Sequence, residues 1–264
     1  MTNLYLLLPG NPSVPGVYDS FLNSVVETHA RAGESFKYVL PHLGQCNQNK
    51  FKGKHVSIRN VFDDHLLTIQ ALISQHKATN VYLIGHSFGS AVTIELYEEL
   101  KEQVTKFVVL CPFLGASDNS IRYLKMFKNP ISRLGMQAAS YSILANQKFS
   151  ESFFRRWLGD NPYNSHIPRE IKKPRYIKNF FSLVSEYIEV FPKLELQKKL
   201  SKMDPIHSFF LFAENDYWVP SKTRDYLPEN AFYEVNEHIS HDFCLKIDEY
   251  QKVAASISDF LERV

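Results

Sequence analysis

The chain has 264 residues, of which 44% are hydrophobic and 22% charged, and its net charge is +2. That length and apolar share suit one large α/β domain, or a core with an insertion. The near-neutral balance argues against a nucleic-acid partner. Three cysteines, Cys46, Cys111 and Cys244, have no metal-like spacing. They read as small buried side chains or incidental thiols in a reducing compartment, and neither a metal nor another cofactor is expected.

The N-terminus lacks the basic start of a signal peptide, and no apolar run approaches the ~20 residues of a membrane span. A cytoplasmic chain is the expectation. Strand-like apolar runs cover Leu4–Leu8, Phe36–Leu40, Val81–Ile84, Phe107–Leu110, Phe209–Phe212 and Ala231–Val235. Helical spacing of apolar residues falls near Val17–Ala30, Val61–His76, Ser90–Glu102 and Phe243–Arg263. This alternation predicts an α/β fold: a mostly parallel sheet of about six strands with helices on both faces.

Almost a hundred residues between the fourth and fifth runs contain no convincing strand. Over Asp118–Pro205 there are 16 Lys and Arg against 8 Asp and Glu, and 13 aromatics, including Phe153, Phe154, Trp157, Phe180 and Phe181. A structureless loop of that length is improbable in a compact domain, so a helical insertion is expected. Pro162, Pro168, Pro174 and Pro192 should divide it into short helices. The chain thus reads as a core over 1–114, a helical cap over 115–205 and the remaining core over 206–264. The cap aromatics suit internal packing better than a ligand surface. The basic excess fits either a solvated face or a rim for a lipid surface.

Between the third run and its helix stands Gly85-His86-Ser87-Phe88-Gly89. A serine between two glycines at a strand-to-helix junction makes a tight turn that lifts the hydroxyl out of the sheet. Ser87 is the candidate nucleophile, and His86 should pack beneath the turn. A serine hydroxyl needs a general base, and that base needs an orienting acid. Asp216 follows the fifth run in Glu214-Asn215-Asp216-Tyr217-Trp218-Val219-Pro220 and is the candidate acid, with Glu214 as the local alternative. After the sixth run come His238 and His241. His241 is the better placed as base, and His238 stays open.

Acyl transfer also requires two backbone N–H donors for an oxyanion. Phe88, after the nucleophile, offers one. The loop Leu8-Pro9-Gly10-Asn11-Pro12-Ser13 offers the other. Its prolines cannot donate, which leaves Asn11 or, second, Ser13.

These elements, in this order, resemble the α/β-hydrolase superfamily over nearly the whole chain. Leu8-Pro9-Gly10-Asn11-Pro12 is similar to the Pro-Gly-Asn-Pro signature of the lipid droplet-associated hydrolase family. That family also opens almost at its first sheet strand and carries a long aromatic insertion after the strand that follows the elbow. The resemblance implies a serine hydrolase acting on apolar esters, such as sterol or acylglycerol esters. It also implies peripheral association with lipid droplets or membranes in eukaryotic members. Two other readings stay open at this point: a thioesterase with the same triad, and a weakly active lipid- or partner-binding protein on the same fold.

Overall fold

The computed structural model describes residues 1–11, 13–43, 56–115, 125, 129–145 and 174–263. Pro12, Cys46, Phe153, Phe154, Trp157, Pro162 and Pro168 lie outside the described residues, as does the Phe180 side chain. The six apolar runs become six strands: β1 (Thr2–Leu8), β2 (Glu34–Val39), β3 (Asn80–His86), β4 (Lys106–Leu110), β5 (Ser208–Ala213) and β6 (Phe232–Asn236). All pair in parallel, in the order β2-β1-β3-β4-β5-β6. The four inner strands are almost wholly buried, which is why they read as continuous apolar runs rather than alternating ones.

Strand order fixes where the helices go. From β1 the chain steps outward to β2 and then returns past β1 to β3. Right-handed crossovers therefore put the connecting helices α1 (Pro15–His29) and α2 (Ile58–His76) on opposite faces. The first face carries the register partners Tyr5, Tyr82 and Lys106. They meet His29 of α1 and Phe260 of α8 (Ile247–Leu261). On the other face, α2 and α3 (Phe88–Glu95) meet through Phe62 and Phe88. The reversal leaves a crevice at the C-terminal ends of β1 and β3, the position where open α/β sheets bind ligands.

Helix boundaries depart from the periodicity: α1 starts at Pro15 and α2 at Ile58, ahead of the expected Val17 and Val61. The helix expected over Ser90–Glu102 starts earlier, at Phe88, and Leu96 interrupts it before α4 (Tyr97–Leu100). The last helix starts at Ile247, after a 3-10 turn over Phe243–Leu245, so His241 is one short turn further from it than expected.

Between β4 and β5 the described residues include α5 (Pro130–Ala145), α6 (Pro174–Leu194) and α7 (Leu196–Leu200). Pro174 opens α6, where its missing N–H costs nothing. Pro192, expected to end a helix, instead lies inside the last turn of α6. One lost hydrogen bond there is offset by its buried neighbours Phe191 and Leu196, and the chain turns at Glu195, with φ 50°. α6 is also anchored to the core: Glu186 accepts the Ile58 N–H at 2.8 Å, next to the Ser57–Asn60 capping box of α2.

Candidate active site

The elbow has the strained geometry its residues require. Ser87 sits at φ 54°, ψ −114°, as the residue before the first turn of α3. Few non-glycine residues adopt such a backbone, and those that do cluster at functional sites. Gly85 and Gly89 are needed for close approach. A Cβ on Gly85 would meet Gly89 O at 2.6 Å, and one on Gly89 would collide with Leu8 O. The Ser90 hydroxyl, 2.7 Å from Gly85 O and 2.8 Å from Leu110 O, also accepts the Leu110 N–H and ties the turn to β4.

Three candidate residues from three separate loops form one line. His241 Nε2 is 2.9 Å from Ser87 Oγ, and His241 Nδ1 is 2.7 Å from Asp216 Oδ2. A carboxylate oxygen only accepts, so Nδ1 carries the proton and Nε2 accepts from the serine hydroxyl. Asp216 is held by its other oxygen, which accepts the Trp218 and Val219 N–H groups at 2.8 and 3.0 Å. Its side chain is only 2% exposed and that of His241 13%. Solvent therefore competes little for the Asp216–His241 pair.

The alternatives stand apart. His238 has its side chain 67% exposed and 3.3 Å from Glu237, away from this line. Glu214 is exposed at the end of β5, where its N–H bonds Asn236 O.

The β1 loop lies beside the elbow because Leu8 and Gly85 are register partners. Gly10 N–H donates to the Tyr18 hydroxyl at 2.8 Å, so it is already engaged. Asn11 follows, and its side-chain amide donates to Tyr187 Oη of α6 at 2.7 Å. Ser13 is fully buried and its hydroxyl accepts the His42 N–H at 2.9 Å. Phe88 is the first residue of α3, so its N–H has no acceptor within the helix. The Phe88 ring turns into the seam with α6, stacked on Tyr187 at 5.3 Å and Phe191 at 6.0 Å between centroids. Tyr187 and Phe191, expected to serve the insertion's own packing, thus lie against the elbow residue Phe88.

Sequence reading passed over several side chains at the site. Cys111, at the end of β4 with φ 45°, bonds Asp216 through its thiol. Burial, reinforced by that carboxylate, pushes the thiol well above its ordinary range, so it stays protonated and can donate. Cys244 likewise bonds the Tyr18 hydroxyl, so both thiols, buried as expected, border the site. Donor atoms of His86, Cys111 and His241 lie within 4.8 Å of one another. Both nitrogens of each imidazole already have hydrogen-bond partners. A metal ion would have to displace those bonds.

Comparison with known proteins speaks to the family and the fold of the chain. The family model described as "Lipid-droplet associated hydrolase" matches residues 1–244. A Mycoplasma genitalium protein named "Putative esterase/lipase 3" is 22% identical over 251 residues, 93% of this chain and 83% of that protein. Among solved structures, an epoxide hydrolase from Bacillus megaterium superposes with TM-score 0.68 at 14% identity, covering 98% of this chain and 93% of its own. The 2-hydroxy-6-oxo-6-phenylhexa-2,4-dienoate hydrolase of Rhodococcus sp. strain RHA1 gives 0.69 at 15% identity, covering 98% and 90%. Those structural likenesses establish the α/β-hydrolase fold, and the match over nearly the whole length establishes that the chain belongs to the lipid-droplet associated hydrolase family.

Proposed function

We propose that the chain is a serine hydrolase that cleaves carboxylic esters of apolar acyl groups through an acyl-enzyme. The observation that carries this reading is the Asp216–His241–Ser87 line, hydrogen-bonded at 2.7 and 2.9 Å at the crevice of a parallel sheet.

In this mechanism His241 Nε2 takes the Ser87 proton as Oγ attacks the ester carbonyl carbon. Asp216 holds the ring and stabilises the imidazolium. The carbonyl oxygen becomes an oxyanion and receives hydrogen bonds from the backbone N–H groups of Asn11 and Phe88. Collapse breaks the bond to the alcohol oxygen, which leaves with the proton from His241. Water, deprotonated by the same imidazole, then attacks the acyl carbon; the bond to Ser87 Oγ breaks, Oγ takes the proton back from His241, and the acid is released.

Support for an apolar acyl group comes from the family match and from the aromatic seam between elbow and α6. We read residues 115–205 as a cap over this site. Its basic excess, with Ile131 and Leu134 of α5 at 83% and 68% exposure, supports peripheral contact with a lipid surface. Among the described residues no helix is long and apolar enough to cross a membrane.

A fluorophosphonate probe tests the nucleophile. Labelling of the wild type and none of Ser87→Ala is expected, whereas no labelling of either favours a binding protein on this fold. Hydrolysis rates across p-nitrophenyl esters of increasing chain length then report the depth of the acyl site. Equal rates on the matching thioesters would move the assignment to a thioesterase.

A further inference from the structure

We propose that Tyr18 and His86 form a positioning relay that locks the oxyanion loop and the loop of the general base to one another beneath the nucleophile. The proposal rests on the triad and oxyanion assignments above. It gives a task to two buried polar side chains that those assignments leave unused.

The relay is a chain of three short hydrogen bonds. Gly10 N–H donates to Tyr18 Oη at 2.8 Å. Tyr18 Oη lies 2.8 Å from His86 Nδ1, and His86 Nε2 lies 2.9 Å from the backbone oxygen of His241. Its direction follows from chemistry. A backbone carbonyl only accepts, so His86 Nε2 must carry the hydrogen. In a neutral imidazole Nδ1 is then an acceptor, which leaves the Tyr18 hydroxyl as donor to it. The Tyr18 oxygen in turn accepts from Gly10, and the Cys244 thiol is a further group at that hydroxyl. No member can reverse its role without losing a partner.

Burial makes this direction permanent. His86 is 3% exposed, and burial, with neighbouring His241 adding to it, lowers its pKa to about 3. The ring therefore stays neutral at pH 7. Tyr18 is also buried, and burial raises its pKa well above the ordinary value, so it keeps its proton. Without water as a substitute, each missing partner leaves an unsatisfied buried group.

The two ends of the relay matter most. One is the residue before Asn11, and the other is the main chain of His241 itself. Between them, His86 is the residue before Ser87. A Cβ on Gly10 would stand 3.0 Å from Tyr18 Oη and 3.1 Å from both His86 Nδ1 and Ser87 Cβ, so loop, relay and nucleophile are in direct contact. An oxyanion donor and a base must hold their places to a fraction of an ångström, because a displacement of about 1 Å can cost about 100-fold in rate. Tyr18 and His86 are accordingly positioning residues, acting on the transition state through Gly10-Asn11 and His241.

The test measures kcat and KM of the full chain on a short p-nitrophenyl ester, normalised to active sites titrated with a fluorophosphonate. Tyr18→Phe removes one oxygen and should lower kcat per titrated site by about 10- to 100-fold with KM within about twofold. His86→Gln keeps a donor for the His241 carbonyl and should retain more kcat than His86→Ala. The double variant Tyr18→Phe/His86→Gln should be no slower than the slower single variant, since both break one chain. Should Tyr18→Phe fail to fold, His86→Gln against His86→Ala decides alone. An active wild type whose kcat per site is unchanged in Tyr18→Phe, or unchanged in both His86 variants, overturns the relay. So do losses that multiply in the double variant. A wild type that neither labels nor turns over ester overturns the triad reading instead.

Discussion

Asn11 and Tyr187, 176 positions apart, share a 2.7 Å hydrogen bond in which the asparagine amide donates to the tyrosine hydroxyl. The same Tyr187 ring stacks on Phe88. One side chain of α6 thus touches both residues proposed to cradle the oxyanion. Burial pushes the Tyr187 hydroxyl far above its ordinary range, so it remains a neutral acceptor.

Tyr187→Phe keeps the stack on Phe88 and Phe191 but removes the acceptor. The expected result is a kcat several-fold lower with KM nearly unchanged, and a stability loss of about 1 kcal/mol for one buried hydrogen bond. Tyr187→Ala, which also removes the stack, should lose more of both. Steady-state kinetics with urea titrations check this. Wild-type kcat in Tyr187→Phe would mean that α6 packs on the site without tuning it.

The histidine assignment has a direct test. His241→Ala should abolish fluorophosphonate labelling, and Asp216→Asn should reduce kcat by about 10³- to 10⁴-fold through loss of the correct tautomer. His238→Ala should leave both nearly intact, because its ring is in solvent beside Glu237. Labelling that survives in His241→Ala and vanishes in His238→Ala would reverse the assignment.

The sheet and the triad candidates were legible because their signals are local. Inner strands buried on both faces must be apolar throughout, and a nucleophile elbow needs small residues on either side of Ser87. Asp216 and His241 could be found because loops after the fifth and sixth strands end at the same sheet edge as the elbow. The supporting side chains had no such signal. Tyr18 reads as an ordinary apolar-face residue of α1, and only the fold brings it to Gly10 and His86. Cys111 sits in an apolar run whose end happens to face Asp216. Pro192 argued for a helix end, but tertiary burial of Phe191 outweighed one lost hydrogen bond.

Lipid contact through α5 can be separated from chemistry. Ile131 and Leu134 are exposed on a helix beside α6. Replacing both by Asp should reduce flotation with a triacylglycerol emulsion several-fold while hydrolysis of a water-soluble short ester stays within about twofold. Wild-type flotation should also weaken as salt rises, if the basic excess contributes. Flotation equal in wild type and double variant would remove α5 from the contact surface.

Acid stability should follow the buried histidines. His42 and His65 face each other at 2.9 Å between Nδ1 and Nε2, an arrangement that accommodates only one proton between the rings. Burial lowers the pKa of His65 from 6.5 to about 3, as it does for His86, and lowers that of His42 well below 6.5 with His65 adding to it. Below pH 6.5 the unfolded chain therefore binds protons that the folded chain refuses. The sign follows: this stability is fully present above the unfolded value and is lost as pH falls toward about 3. Each histidine contributes a slope of up to about 1.4 kcal/mol per pH unit in that window. Urea midpoints should accordingly fall steeply between pH 7 and pH 5. His65→Gln, which still offers the His42 ring a hydrogen-bonding partner, should flatten that dependence by about one proton. An unchanged slope in His65→Gln would show that the folded protein admits the proton and that the pair does not resist acid.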